Sequence, residues 1–336
     1  MNSPLPDGYT AGPVQMSDLK KTVEMINAFT RASVGVEQYT TESLRSEWSS
    51  GMYSLEMDTM AVFAPNGCPV GYMEFWDPGT LHVRMSGWAA VHPEHTRRGI
   101  TSYLLTWLLE RARQNVHLAP PDTRVVLQIN TEARQQDAHA LFARFGFHVV
   151  RSYYTMNIDF DGPPPEPVIP EGIIIRPVAS DDEEREALCA SYESFKDHWG
   201  TVPETFDEYY QRQQKHNQVS PYHDRSVWFM ALDGDQVAGV ALCTPRQDED
   251  PLMGWVNKLG VRREWRGRGL GLALLQHAFR ELYRRGSQHV GLGVDASSLT
   301  GAVRLYERAG MYVLRKYSLH EIELRPGKNL LTQNLE

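Results

Sequence analysis

The chain has 336 residues, with 34 Lys and Arg against 42 Asp and Glu for a formal charge of −8, and is 41% hydrophobic and 23% charged. These values exclude wholesale disorder and fibrous repeats, and the length accommodates two domains of about 150 residues each. The acidic balance argues against a nucleic-acid binder, whose phosphate contacts require clustered Lys and Arg, and favours a cationic partner.

The opening stretch carries Pro4, Pro6 and Asp7 where a secretory leader needs basic and then apolar residues. The longest apolar runs, Gly172–Ile175 and Val227–Leu232 among them, fall far short of the roughly 20 residues that cross a bilayer. A cytoplasmic protein without a membrane segment is expected. Cys68, Cys189 and Cys243 are odd in number and far apart, so they suit neither a disulfide framework nor a CxxC site and read as small core residues. The histidines lack metal-ligand spacing, and no metal is expected.

Gly12-Pro13-Val14 matches Arg176-Pro177-Val178, and Leu141-Phe142 with Gly146-Phe147 matches Leu305-Tyr306 with Gly310-Met311. Between these anchors Val91 to Gly99 matches Val261 to Gly269, so the two halves share one plan. Each half is predicted to run as an edge strand, one or two helices, a meander of strands, a long amphipathic helix, a strand, a short helix and a final strand. That is an α+β (mixed α/β) architecture. Five prolines in Asp161–Gly172 remove backbone donors and fix φ, so this segment is read as a linker. The expected domains are therefore residues 1–160 and 173–336, joined by 161–172.

In the second half, alternation over Trp255–Val261 predicts a strand. The recurrence of Leu272, Leu275, Ala278, Phe279 and Leu282 predicts a helix over about Gly269–Arg285 with those residues buried. The connection reads Arg262-Arg263-Glu264-Trp265-Arg266-Gly267-Arg268-Gly269-Leu270-Gly271. Its glycines free the backbone so that successive N–H groups at the helix start point at one spot, with Arg266 and Arg268 adding positive potential. A phosphate or pyrophosphate suits that place. A Walker loop is excluded because Gly-Lys-Ser/Thr is absent, and the glycine spacing is not GxGxxG. A tight strand-to-helix turn with a solvated basic rim is the purely structural alternative.

Arg-x-x-Gly-x-Gly, filled by Arg266, Gly269 and Gly271, resembles the acyl-CoA pyrophosphate signature of the GNAT superfamily of N-acyltransferases. Ala302 to Met311 resembles the family's second signature, with Tyr306 preceding Gly310. The resemblance covers most of 173–324, with a weaker copy over 8–160. It implies two tandem domains, each a mostly antiparallel twisted sheet flanked by helices. It also implies acetyl-CoA as cosubstrate and a small-molecule amine as acceptor, attacking the thioester directly. Backbone N–H groups of Leu259, Gly260 and Val261 would meet the carbonyl oxygen. The loop from Arg266 through Gly267, Arg268, Gly269, Leu270 and Gly271 would hold the pyrophosphate. Tyr306 would protonate the departing thiolate, although Ala302, Leu305, Tyr306 and Ala309 also form an apolar helical face.

Where relatives often carry Asn before the short helix, this chain reads Asp295 to Thr300. Ser298 is the residue offered for that contact, and Asp295 equally suits capping the following turn. The general base is open between a carboxylate, a His and a relayed water. His198 and Glu193 are the candidates, in a run from Tyr192 to Tyr210 that mixes acids and aromatics and also reads as a solvated amphipathic helix. The first half has Thr96, Gly99 and Thr101 where the second has Arg266, Gly269 and Gly271, and Phe142 in place of Tyr306. Catalysis is therefore expected in the second half alone, in a monomer. A non-catalytic acyl-CoA-binding protein is the competing reading.

Overall fold

The computed structural model describes residues 4–196, 198–298 and 301–333. Asp197, Leu299 and Thr300, which belong to segments quoted above, lie outside the described residues. The chain runs through β1 (Thr10–Gly12), α1 (Leu19–Val34), α2 (Thr41–Trp48), α3 (Leu55–Asp58), β2 (Thr59–Phe63), β3 (Pro69–Trp76), β4 (Arg84–Val91), α4 (Ile100–Asn115), β5 (Val125–Glu132), α5 (Gln136–Arg144) and β6 (His148–Asp159). A similar succession follows with β7 (Ile173–Pro177), α6 (Asp181–Phe195), α7 (Phe206–Val219), β8 (Trp228–Asp233), β9 (Gln236–Thr244), β10 (Met253–Val261), α8 (Leu270–Arg284), β11 (His289–Asp295), α9 (Ala302–Arg308) and β12 (Tyr312–Arg325).

Two compact units result. The first gathers the chain up to Arg151 with Val219–Pro221 and Tyr317–Leu330, and the second gathers Ser152–Gln218, Tyr222–Lys316 and the residues from Leu331. This division passes through β6 and β12, whereas 161–172 lies wholly inside the second unit, so the compact units do not coincide with 1–160 and 173–336. Backbone pairing is the reason. Tyr153–Asp159 of β6 pair with β11, and Tyr317–Arg325 of β12 pair with β5. Each sequence half lends its last strand to the unit built mainly by the other.

The first unit's sheet has the order β1-β2-β3-β4-β5-β12, with only β4 and β5 parallel. The second has β7-β8-β9-β10-β11-β6, with only β10 and β11 parallel. Both are the mostly antiparallel sheets that the resemblance implies. Helices cover both faces. In the second unit a Cβ at Gly239 would meet Leu274 of α8 at 3.1 Å, while one at Gly260 would meet Ser194 and Phe195 of α6 at 2.8 and 3.2 Å. α6 is started by Ser180, whose Oγ accepts from Glu183 N–H, and by a four-acid first turn that suits the helix dipole.

α8 buries Leu270, Ala273, Leu274, Leu275, Ala278, Phe279 and Leu282. Leu272, placed on the apolar face from its spacing, is only half-buried, because the stripe begins two residues earlier. Cys243 is buried, but Cys68 and Cys189 are half-exposed and do not belong to the core. Among the described residues no helix is long and apolar enough to cross a membrane.

Leu274 is fully buried against Gly239. Leu274→Ala is therefore expected to lower unfolding stability by about 2–5 kcal/mol. Leu272→Ala should cost about 1 kcal/mol or less. Thermal melts of the two variants check the difference.

Candidate active site

β10 and β11 are hydrogen-bonded in register only from Met253 opposite His289 to Val256 opposite Leu292. The β10–β9 register then shifts between Val256 and Lys258, a bulge at Asn257 that increases the local twist. Beyond it β10 pairs with β9 alone, so a fork opens between β10 and β11. Arg262 N–H donates to Ala238 O of β9 at 3.0 Å. By two-residue alternation Gly260 N–H faces β9 as well, and the N–H groups of Leu259 and Val261 face the fork. Two of the three backbone positions named from the sequence thus present donors there; Gly260 instead gives α6 its closest approach.

The loop after β10 is cornered by two left-handed residues, Gly267 at φ 78° and Gly269 at φ 82°, and Gly269 is the N-cap of α8. An L side chain resists that conformation. The first N–H groups of α8, at Leu270, Gly271 and Leu272, have no intrahelical acceptor. The side chain of Leu270 is buried in the core, so only its backbone is available to a ligand. Arg268 is exposed.

Arg266 is placed otherwise than the sequence suggests. Its Nε donates to Val261 O at 3.0 Å and its guanidinium to Ser194 O at 3.2 Å. It ties the end of β10 to the end of α6 rather than standing free as an anion ligand. Trp265 Nε1 donates to Asp233 Oδ2 at 2.8 Å and anchors the other side of the turn.

A Cβ at Gly271 would meet Leu305 of α9 at 3.1 Å. The glycine therefore admits α9 against α8, next to Tyr306. Tyr306 is 8% exposed in the core cluster with Leu270 and Leu274, and burial pushes its phenol up to about 12. It holds its proton at any working pH. Asp295 Oδ1 accepts from Ser297 N–H at 2.9 Å, the turn-capping alternative, and Ser298 N–H donates to Asp295 O at 3.0 Å.

On the α6 side, Glu193 forms an ion pair with Arg262 at 2.6 Å. Its carboxylate is thus already engaged on the α6 side of β10. His198 stacks on Phe195 with ring centroids 4.5 Å apart, and Phe195 lies against Gly260 and under Lys258, whose Nζ is 5.2 Å from the ring centre. Two residues near the fork were not picked out from the sequence. Lys258, at the bulge, has its ammonium pKa lowered by burial and then by Arg212, against an opposing pull from Glu204. His216 of α7 is lowered by desolvation first, then by His223, Lys258 and Arg212. Neither lies in a recognisable motif; a Lys beside Asn257 in a mostly apolar strand was the signal for Lys258.

The first unit repeats this backbone without the same side chains. β4 pairs with β5 only from Arg84 to Gly87, so it forks too. Arg97 at φ 59° and Gly99 at φ 81° take the places of Gly267 and Gly269. The two basic residues there are engaged, Arg97 with Asp137 at 3.1 Å and Arg98 with Tyr9 Oη at 3.0 Å. Phe142 is buried edge-on against His320 and has no proton to give.

The model of the acetyltransferase (GNAT) family matches residues 23–147 and 190–311. A mycothiol acetyltransferase of Thermobispora bispora is 30% identical over 257 residues, 75% of this chain and 77% of that protein. One of Thermomonospora curvata is 30% identical over 269 residues, 80% of each chain. The crystal structure of a GCN5-related N-acetyltransferase from Sphaerobacter thermophilus, 35% identical, superposes with a TM-score of 0.82 over 97% of this chain and 99% of that one. A tandem GNAT protein from the clavulanic acid biosynthesis pathway shares the fold, with a TM-score of 0.72 at 14% identity over 95% of this chain and all of that one.

Gly269→Ala forces an L residue to a φ of 82° and is expected to cost about 1–2 kcal/mol. Gly271→Ala, at ordinary φ, meets the movable Leu305 methyl at 3.1 Å and makes an ordinary contact with Val261, and should cost less than about 1 kcal/mol. Denaturant titration of the two variants checks the order.

Proposed function

The chain belongs to the acetyltransferase (GNAT) family, and from that premise we propose that its second unit moves an acetyl group from acetyl-CoA to the primary amine of a small molecule. The observation that carries this reading is the fork. Two outward N–H groups of β10, the glycine-cornered start of α8 that follows it, and a buried Tyr306 on α9, which packs on α8, support the reading. The residues fit the cosubstrate, because the forked strand has backbone donors to offer and the cornered loop has no Cβ that would block an approaching phosphate at Gly267 or Gly269.

Acetyl-CoA supplies the acetyl group and a thiol leaving group. Leu259 and Val261 N–H groups are positioned to stabilise charge that gathers on the carbonyl oxygen. The attacking amine must shed a proton, and the imidazole of His216, solvent-exposed on α7 and lowered by desolvation and by the neighbouring His223, Lys258 and Arg212, can accept it. His198, beside Phe195, is the second imidazole for that role. Nitrogen to carbon forms, carbon to sulfur breaks, and Tyr306 returns a proton to sulfur. Ser298, Arg268 and the first N–H groups of α8 complete the proposed cosubstrate contacts. The name of the relatives puts a mycothiol-type amine first among acceptors to screen, and a monomer is the proposed state.

Calorimetric titration with acetyl-CoA is expected to show one site per chain. Gly271→Asp, which places a carboxylate beside Leu305 and Val261 at the start of α8, should abolish it. A site that survives Gly271→Asp would move the reaction to the first unit. Tyr306→Phe should leave acetyl-CoA affinity unchanged and lower kcat by about 10²-fold or more; equal turnover by this variant would remove the phenol from the mechanism.

With His216 as base, the acid limb of kcat/KM lies below the ordinary imidazole value of about 6.5, since activity is lost only as pH falls through the lowered pKa. His216→Gln should remove that limb. If His198→Gln removes it instead, the proton passes to His198.

A further inference from the structure

The first unit's fork is built for a different partner. Glu74 of β3 stands directly opposite Trp88 of β4, and Trp88 is the first residue of β4 beyond its pairing with β5. Tyr72 and Trp76, two residues to either side of Glu74, share its face of the sheet. Glu74 is 6% exposed, accepts from Tyr72 Oη at 3.1 Å, takes a hydrogen bond from the Trp76 side chain, and shares another with the carboxyl of Glu47 from α2. Trp48 Nε1 donates to Tyr72 Oη at 3.2 Å, and Tyr53 Oη donates to Glu47 at 3.4 Å.

Rings surround the pair. Tyr53 packs on Trp76 at 4.3 Å between centroids, while Trp88 is ringed by Tyr39, Phe29 and Tyr72 at 5.7, 6.3 and 6.4 Å. Phe29, Tyr39, Tyr53, Trp76 and Trp88 are all only half-buried, so the aromatic wall is accessible.

Among the described residues no Lys, Arg or His forms an ion pair with either carboxyl. Burial raises both, Glu47 to about 7 and Glu74 well above the ordinary carboxyl value, and an ammonium ion beside the pair would favour its ionised form. A buried carboxylate without a counter-cation is costly, and aromatic faces attract organic cations. The corresponding cross-strand pair of the second unit is Leu242 opposite Lys258, which has the opposite polarity.

We propose that the first unit binds an organic ammonium ion at its fork, between the Glu47–Glu74 carboxyl pair and the rings of Trp88, Trp76, Tyr53 and Tyr72. The site is separate from the proposed acetyl transfer and has no thiolate acid, so it holds the cation without converting it.

The test is calorimetric titration of the full chain with choline chloride and with n-butylammonium, against the uncharged choline isostere 3,3-dimethyl-1-butanol. At least one of the two cations should bind at one site per chain, and the alcohol should not. Binding should persist in Gly271→Asp and weaken about tenfold or more in Trp88→Ala. Glu74→Gln, which keeps the shape and removes the charge, should weaken it comparably while leaving acetyl-CoA affinity intact. Three results overturn the proposal: no cation binds, the alcohol binds equally, or cation binding survives both Trp88→Ala and Glu74→Gln. Loss of acetyl-CoA binding alone would strike the second unit's function and leave this site standing.

Discussion

The place where β10 loses β11 governs the second unit. Parallel pairing ends at Val256, the bulge at Asn257 re-aims the strand, and only then do Leu259 and Val261 turn their N–H groups toward open space. In an unbroken parallel sheet those donors would be spent on β11 carbonyls. Other features follow from keeping the fork open. Gly260 lets α6 approach the strand, Arg266 ties Val261 O to Ser194 O, and Gly271 lets α9 settle on α8 so that Tyr306 is buried close by.

Local signals carried the loop and its helix. Glycines at 267 and 269 have the positive φ values that only a residue without a Cβ adopts easily, and α8 starts and ends within a residue of its predicted bounds. The twofold repeat was equally visible, because it is written in short motifs. Pairings between distant residues were hidden. Nothing near Arg266 in the chain says that it clamps two carbonyls, one of them 72 residues away. Glu193 looks like a free acid until Arg262 is folded beside it, and the Glu74–Trp88 pair exists only once strand register is set. Leu272 was misplaced because a 3.6-residue stripe can be slid by a position or two when its first member, Leu270, sits inside the loop motif.

The two units also separate what backbone and side chains contribute. Arg97 holds a φ of 59° where the second unit uses Gly267, so the loop's shape is imposed by its surroundings and survives an unfavourable residue. Side chains then give two similar forks opposite characters. One carries Glu74 and aromatic rings; the other carries Lys258, which Arg212 lowers and which in turn lowers His216.

The last strand of each sequence half belongs to the other half's sheet, and this has a consequence for biosynthesis. β5 finds its outer neighbour only in Tyr317–Arg325, and Arg124 meets Glu321 and Glu323 across 197 and 199 residues of chain. During vectorial synthesis the first unit emerges with β5 as an open edge that can template pairing with another nascent chain. Closure of so long a loop is a late and slow event. The first unit's sheet is therefore completed only after the strand Tyr317–Arg325 has been synthesised.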